Sequence, residues 1–178
     1  MGRLFGLLLV VAGLLYPFAV YYGMEHLSPR LFAALLGGLW LARAISQRGQ
    51  PGSRWMAGAA LAFCALLGLA GEPALLRWFP VLPNLMLPVL FGLSPKFGPP
   101  LVERLARLQE PELPEHAVRY TRQVTAVWAG FFLANGLVVT ALTLWAPLSW
   151  WTLYTGLIAY ALMGLLFAAE WLIRQRVR

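Results

Sequence analysis

Six long apolar stretches follow one another along this chain, and the polar segments between them are mostly short. A helix that crosses a bilayer needs about 20 mostly apolar residues. The six stretches span residues 4–22, 29–47, 55–71, 75–93, 121–145 and 149–173. Because backbone polar groups inside a bilayer must bond to one another, such stretches form helices. The sequence therefore predicts an all-α polytopic membrane bundle of about six transmembrane helices, forming one domain over residues 1–178.

The scarcity of charge supports the same class. Charged residues make up 12% of the chain and aspartate is absent, whereas soluble domains carry roughly 25% charged residues. The net charge of +7 does not indicate nucleic-acid binding, because the basic residues lie at the ends of apolar stretches and not in a patch interleaved with aromatics. Cys64 is the single cysteine, so a disulfide framework or a cysteine metal site is excluded.

The basic residues also predict an orientation. If the N-terminus is inside, twelve of the fourteen basic residues lie on the inner side and only Arg30 and Arg77 lie outside. Cytoplasmic loops carry such an excess of basic residues. With an even number of spans, both termini are then cytoplasmic. We expect a multi-pass protein of the bacterial inner membrane.

The longest polar segment lies between the fourth and fifth stretches. After Pro99 and Pro100, leucines recur on one helical face, while Glu103 and Arg107 stand on the other face at a spacing of four residues. This pattern predicts a short amphipathic helix over about residues 99–109 that lies on the cytoplasmic membrane surface. The alternative is a solvated loop between two spans.

Two of the apolar stretches have unusual features. The fourth contains Pro80, Pro83 and Pro88, which predict a broken or re-entrant span. The fifth places several polar and aromatic residues on one helical face, which we expect to point inward. These residues are Thr121, Thr125, Trp128, Phe132 and Asn135.

Motifs of common enzyme chemistry are missing. The sequence has no P-loop and no glycine-rich dinucleotide turn, and without aspartate it cannot form the Asp-rich pairs that hold Mg²⁺-diphosphate. The predicted topology separates its two histidines, His26 and His116, which excludes a His-pair metal site. His116 beside Glu115 could act as an acid or base, but we interpret it as a solvated loop histidine. We predict no catalytic residue, no metal and no cofactor.

A few polar groups near the ends of spans form the candidate site. A pocket at the cytoplasmic leaflet would suit a lipid phosphate or an acyl carboxylate, because guanidinium groups bind both. The alternative is that Glu170 pairs with Arg174 or Arg43 as a structural clip. Asn84 and Asn135 are expected to form an interhelical hydrogen bond. The candidate pocket residues are Arg43, Glu103, Arg104, Arg122, Glu170 and Arg174.

One part of the chain, roughly residues 99–135, resembles the intracellular septation protein A (YciB-type) family of bacterial inner-membrane proteins. The resemblance rests on a Pro-Leu-x-x-Arg-Leu helix, a Leu-Pro pair and a Trp-x-x-Phe-Phe span start followed by an asparagine. It implies a role in envelope integrity and biogenesis, with no catalytic residue. The matching positions are Pro100, Leu101, Arg104, Leu105, Leu113, Pro114, Trp128, Phe131, Phe132 and Asn135.

Two shorter motifs, Tyr-Tyr-Gly-Met-Glu-His at 21–26 and Arg-Tyr-Thr-Arg at 119–122, are similar to small membrane proteins of aryl-polyene and fatty-acid-synthase-like clusters. That similarity implies an accessory role in making or moving an acyl or polyene lipid. We therefore expect a non-enzymatic protein of envelope biogenesis or lipid homeostasis, with membrane lipids and possible envelope or lipid-synthesis proteins as partners. The alternative is a membrane enzyme, flippase or transporter that handles a lipid-linked substrate at the cytoplasmic leaflet. The oligomeric state is left open.

Overall fold

The computed structural model describes residues 2–23, 28–46, 53–108 and 111–177, and among these residues it is all-helical with no strand. The all-α prediction is confirmed. His26 lies outside the described residues. Within the described residues, the α-helices are α1 (Gly2–Gly23), α2 (Pro29–Ser46), α3 (Ser53–Ala70), α4 (Val81–Leu93), α5 (Leu101–Arg107), α6 (Glu115–Trp145), α7 (Leu148–Leu153) and α8 (Ala159–Val177). A π-helix, Tyr154–Ile158, joins α7 to α8.

Three helical segments of the described chain are long and apolar enough to cross a membrane: Pro73–Phe97, Glu115–Trp145 and Leu148–Gln175. Val11–Gly23 and Ala57–Ala70 are shorter apolar helical segments. Large apolar side chains on several helices are exposed, as at Leu69 (85%) and Leu165 (67%). Exposure of so many large apolar side chains is unusual on a protein surrounded by water. The three long apolar helices suggest a membrane protein, and the six spans stay a prediction.

The fourth apolar stretch is interrupted at its prolines. A 3₁₀ helix, Pro73–Trp78, leads through a turn into α4, and a second 3₁₀ helix, Ser94–Phe97, follows. Pro80 immediately precedes α4 and Pro83 lies in its first turn, where a backbone N–H has no intrahelical partner to lose. Pro88 lies inside α4 without ending it. The change of helix type therefore follows from the spacing of the prolines.

The fifth stretch begins its helix earlier than its apolar residues indicate. α6 starts at Glu115, six residues before the predicted start of the span at residue 121. The amides of Ala117 and Val118 donate to the carbonyl of Pro114, which closes the first turn over polar sequence. His116 consequently lies on a helix, and its interpretation as a loop residue is wrong.

Contacts group the chain into two units, Met1–Leu82 with Val139–Leu162 and Pro83–Val138 with Met163–Arg178. In the first unit, the buried core is built around Tyr16, Leu76 and Trp151. The Tyr16 hydroxyl donates to the carbonyl oxygen of Leu76 at 2.7 Å, which satisfies both buried polar groups. Small residues bring α2 and α3 together: β-carbons added at Gly37 and Gly68 would meet Cys64 and Ala33 at ordinary contact distance.

Arg77 stabilises the end of α6 within the first unit. Its Nη2 donates to the carbonyls of Leu142 and Ala146 at 2.8 and 2.7 Å. Leu142 lies in the last turn of α6, where its carbonyl also accepts the Ala146 amide, and Ala146 immediately follows the helix. A cation at this end is favoured by the helix dipole. In return, the Arg77 carbonyl accepts hydrogen bonds from Thr143 and Trp151. Sequence reasoning treated Arg77 only as a topology marker and missed this role.

The second unit has its own core around Val124, Trp128 and Phe132. The predicted inward face of α6 is confirmed, since its members are buried; they are Thr121, Thr125, Trp128, Phe132 and Asn135. Asn135 donates from Nδ2 to Oδ1 of Asn84 at 2.7 Å. One residue on, Gly136 allows close approach, because a β-carbon there would lie 3.0 Å from the Asn84 carbonyl oxygen.

Candidate functional site

A cavity of about 850 Å³ lies in the second unit. Its volume falls within the range of about 300–1,000 Å³ typical of small-molecule sites. The walls come from α4, α5, α6, α8 and the Leu113–Pro114 segment. The lining residues are Leu87, Phe91, Val102, Leu105, Ala106, Leu113, Pro114, His116, Ala117, Tyr120, Thr121, Val124, Trp128, Phe132, Met163, Phe167, Glu170 and Arg174.

The apolar part of the cavity is lined by aromatic rings in mutual contact. The ring centroid of Trp128 lies 4.5 Å from that of Phe167 and 5.7 Å from that of Phe132. Phe91 of α4 meets Phe132 at 5.9 Å. Tilted ring pairs at these distances are favourable. This aromatic cluster forms an apolar surface along the cavity.

The polar residues that line the cavity lie near the start of α6 and near the end of α8. His116 and Tyr120 lie one turn apart near the start of α6, and Glu170 and Arg174 lie one turn apart near the end of α8. The Tyr120 hydroxyl lies 3.2 Å from both the carbonyl and the Oε1 of Glu170, and it can donate to either. The cavity therefore has a polar end and an apolar end.

The lining of α6 follows one regular spacing. Every fourth residue from His116 to Phe132 faces the cavity. At about 1.5 Å per residue, these sixteen steps extend over about 24 Å. The hydrocarbon core of a bilayer is about 30 Å thick. The part of α6 that lines the cavity is thus nearly as long as the hydrocarbon core is thick.

One wall of the cavity is α5, which carries Val102, Leu105 and Ala106. A turn at Gly98, with φ of 126°, precedes this helix, and its first amide, from Leu101, donates to the Ser94 hydroxyl. The predicted helix over residues 99–109 is therefore shorter, at Leu101–Arg107, and residue 109 lies outside the described residues. The prolines set its start, because Pro100 immediately precedes it in an extended conformation.

The side chains of Arg104 and Arg107 form hydrogen bonds within α5 and to the segments beside it. Arg104 donates to the carbonyls of Pro99 and Phe97 at 2.7 and 3.1 Å. Arg107 forms a salt bridge with Glu103 at 2.8 Å and also donates to the Pro111 carbonyl. The sequence placed Glu103 on an outward face, but its exposure is only 3%. That placement is wrong, because α5 turns its Glu103 side towards the protein.

The predicted pocket residues are only partly brought together. Glu170 and Arg174 line the cavity, whereas Glu103, Arg104 and Arg122 do not, and Arg122 is exposed on α6. Arg43 belongs to the first unit, where its guanidinium lies 5.5 Å from the ring centre of Trp40. Glu170 accepts its hydrogen bond from Tyr120, and within the described residues no ion pair links it to Arg43 or Arg174.

The main residues that sequence reasoning missed are His116, Tyr120 and Phe167. For the α6 residues a signal existed, since His116, Tyr120, Val124, Trp128 and Phe132 recur every four positions. This four-residue spacing begins in polar sequence and continues into the apolar stretch, so neither part alone reveals it. Phe167 carries no such signal, because α8 is apolar on most of its circumference.

The three long apolar helices of the described chain suggest a membrane protein, and the cavity of its second unit has one polar end. In the described part of the chain, no group of three His, Cys, Asp or Glu side chains is placed to hold a metal ion. Comparison of the chain with protein-family models, with curated proteins and with solved structures finds no match. The resemblance to the septation protein A family accordingly rests on the short motifs alone.

Proposed function

We propose that this protein is a multi-pass inner-membrane protein that binds a membrane lipid without catalysing a reaction, in support of envelope biogenesis or lipid homeostasis. The observation that carries the proposal is the 850 Å³ cavity of the second unit. Its aromatic and aliphatic lining favours a hydrocarbon chain, since burial of apolar surface contributes roughly 25 cal/mol per Å². Its polar end favours a head group.

The membrane setting is supported by two independent features. The described chain has three helices long and apolar enough to span a bilayer. The basic residues follow the asymmetry expected for cytoplasmic termini, with twelve of fourteen on one side of the six-span topology. In that topology the polar end of the cavity, at the start of α6 and the end of α8, faces the cytoplasmic leaflet.

Lipid bound to the purified full chain tests this proposal. Ala117→Trp would place an indole inside the cavity, whereas Ala126→Trp adds the same group to an exposed position of α6. In mild detergent, we expect mass spectrometry to find a near-stoichiometric lipid with the native chain and with Ala126→Trp. We expect Ala117→Trp to lose it. Equal lipid content in all three proteins would contradict a lipid site in the cavity.

A second candidate function is a membrane enzyme, flippase or transporter that handles a lipid-linked or acyl substrate. It is favoured by one observation: three groups able to exchange protons, His116, Tyr120 and Glu170, line the same cavity. Proteoliposomes with fluorescent lipid separate the two functions. Protein-dependent transfer between leaflets, or a change in lipid mass, would favour this candidate. Retention of an unchanged lipid without transfer would favour binding alone.

A further inference from the structure

We propose that the ligand of the cavity is a lipid with a free carboxylate, bound with its carboxylate at Arg174 and a hydrocarbon chain along the aromatic cluster. This inference rests on the proposed lipid-binding function and specifies the class of ligand. Two features of the second unit carry it: the charges at the polar end of the cavity, and the order of polar and apolar groups along α6.

The charged residues at the polar end of the cavity favour a head group with a single negative charge. Tyr120 engages Glu170, whereas the exposed Arg174 has no hydrogen-bond or ion-pair partner within the described residues. A guanidinium binds a carboxylate through two parallel hydrogen bonds. A phosphate monoester carries about 1.5 to 2 negative charges at neutral pH, and the excess would face the carboxylate of Glu170. A carboxylate therefore matches the site better than a phosphate monoester.

The order of groups along α6 orients the ligand. His116 and Tyr120 stand at the polar end, then come Val124, Trp128 and Phe132 at intervals of four residues. A head group at the first turn of α6 thus puts the chain on the aromatic rings, with the chain running towards α4 and Phe91. The reverse orientation would bury the carboxylate among apolar side chains, which is costly without a partner.

A competition experiment tests the head group. The full chain in phosphatidylcholine nanodiscs is incubated with radiolabelled hexadecanoate, with empty nanodiscs as the correction for partition. Competitors are unlabelled hexadecanoate, hexadecyl phosphate, hexadecanol and hexadecyltrimethylammonium. We expect saturable binding, displaced best by hexadecanoate. Hydrogen bonds to a charged group are worth about 1.5–3 kcal/mol, so Arg174→Gln should weaken hexadecanoate binding roughly 10-fold or more while leaving hexadecanol unchanged.

The matched control is Arg119→Gln, which removes the same charge from an exposed position of α6 outside the cavity lining. We expect it to bind hexadecanoate as the native chain does. Equal weakening by Arg119→Gln and Arg174→Gln would show a general charge effect and overturn the proposal. Tighter binding of hexadecyl phosphate than of hexadecanoate would overturn the choice of a carboxylate.

The failure of this inference is distinguishable from that of the proposed function. If all single-chain competitors displace the label equally and Ala117→Trp abolishes binding, the cavity binds lipid but does not select the carboxylate. If Ala117→Trp and Ala126→Trp bind hexadecanoate equally, the cavity is not the site, and both proposals fail.

Discussion

The close contact between Gly136 of α6 and Asn84 of α4 gives a sharp test of packing in the second unit. A β-carbon at position 136 would lie 3.0 Å from the carbonyl oxygen of Asn84 and 3.3 Å from its carbonyl carbon. Both atoms are backbone, so they cannot move aside as a side chain would. Gly136→Ala must therefore shift α4 or α6 by a few tenths of an ångström.

The magnitude follows from two opposing effects. Alanine is favoured over glycine in a helix by about 1 kcal/mol, and overpacking costs typically about 1–3 kcal/mol. Gly136→Ala should therefore be destabilised by about 0–2 kcal/mol. Gly130→Ala is the matched control on the same helix, since a β-carbon there meets nothing within 4 Å. Gly130→Ala should therefore gain only the helix preference of alanine, about 1 kcal/mol.

The two alanine variants should consequently differ by about 1–3 kcal/mol in the free energy of unfolding. For a chain of this size, 1 kcal/mol corresponds to about 2–4 °C in melting temperature. Thermal unfolding in mild detergent, followed by circular dichroism, should thus show Gly136→Ala melting about 2–12 °C below Gly130→Ala. If Gly136→Ala melts at or above Gly130→Ala, the close packing of these helices is refuted.

Three further outcomes are expected from single contacts. Arg107→Gln removes the guanidinium that pairs with the buried Glu103 carboxylate, so it should cost about 1–3 kcal/mol of stability. The double variant Glu103→Gln with Arg107→Gln should recover part of that loss in the same melting assay. A double variant as unstable as Arg107→Gln would contradict the pairing. Arg77→Gln removes two hydrogen bonds at the C-terminal end of α6, to the carbonyls of Leu142 and Ala146, and should cost about 1–3 kcal/mol. Arg30→Gln, at an exposed position, should stay within about 0.5 kcal/mol of the native chain. Cys64 is buried against α2, so a maleimide should label it slowly in the folded protein and completely after unfolding; rapid labelling of the folded chain would contradict the packing of α2 on α3.

Apolar length and proline spacing made much of the secondary structure predictable. The helical class follows from apolar stretches with few charges, and the breaks around α4 follow from prolines that cannot donate a backbone hydrogen bond. The buried face of α6 was also predictable, because threonine, tryptophan and asparagine recur on one side of it. These features depend on local sequence only.

The cavity was less predictable, because its residues come from elements far apart in sequence. Charge near a span end indicated Glu170 and Arg174, and both line the cavity. The same reasoning selected Arg104, whose guanidinium instead bonds to the carbonyls of Phe97 and Pro99. Those carbonyls become available only because the chain turns at Gly98, and a charge pattern does not reveal such a turn. The π-helix Tyr154–Ile158 likewise had no predictable signal.

The turn at Gly98 has a consequence for how variation in this protein would be interpreted. Its φ of 126° is a backbone conformation that side chains with a β-carbon rarely adopt. A side chain there would strain the turn that precedes α5, the helix that carries the wall residues Val102, Leu105 and Ala106. A mutational scan for ligand selectivity would then score Gly98 as strongly as a contact residue, although it touches no part of the cavity. Ligand selectivity could therefore change through a substitution at Gly98 while every side chain that lines the cavity stays the same.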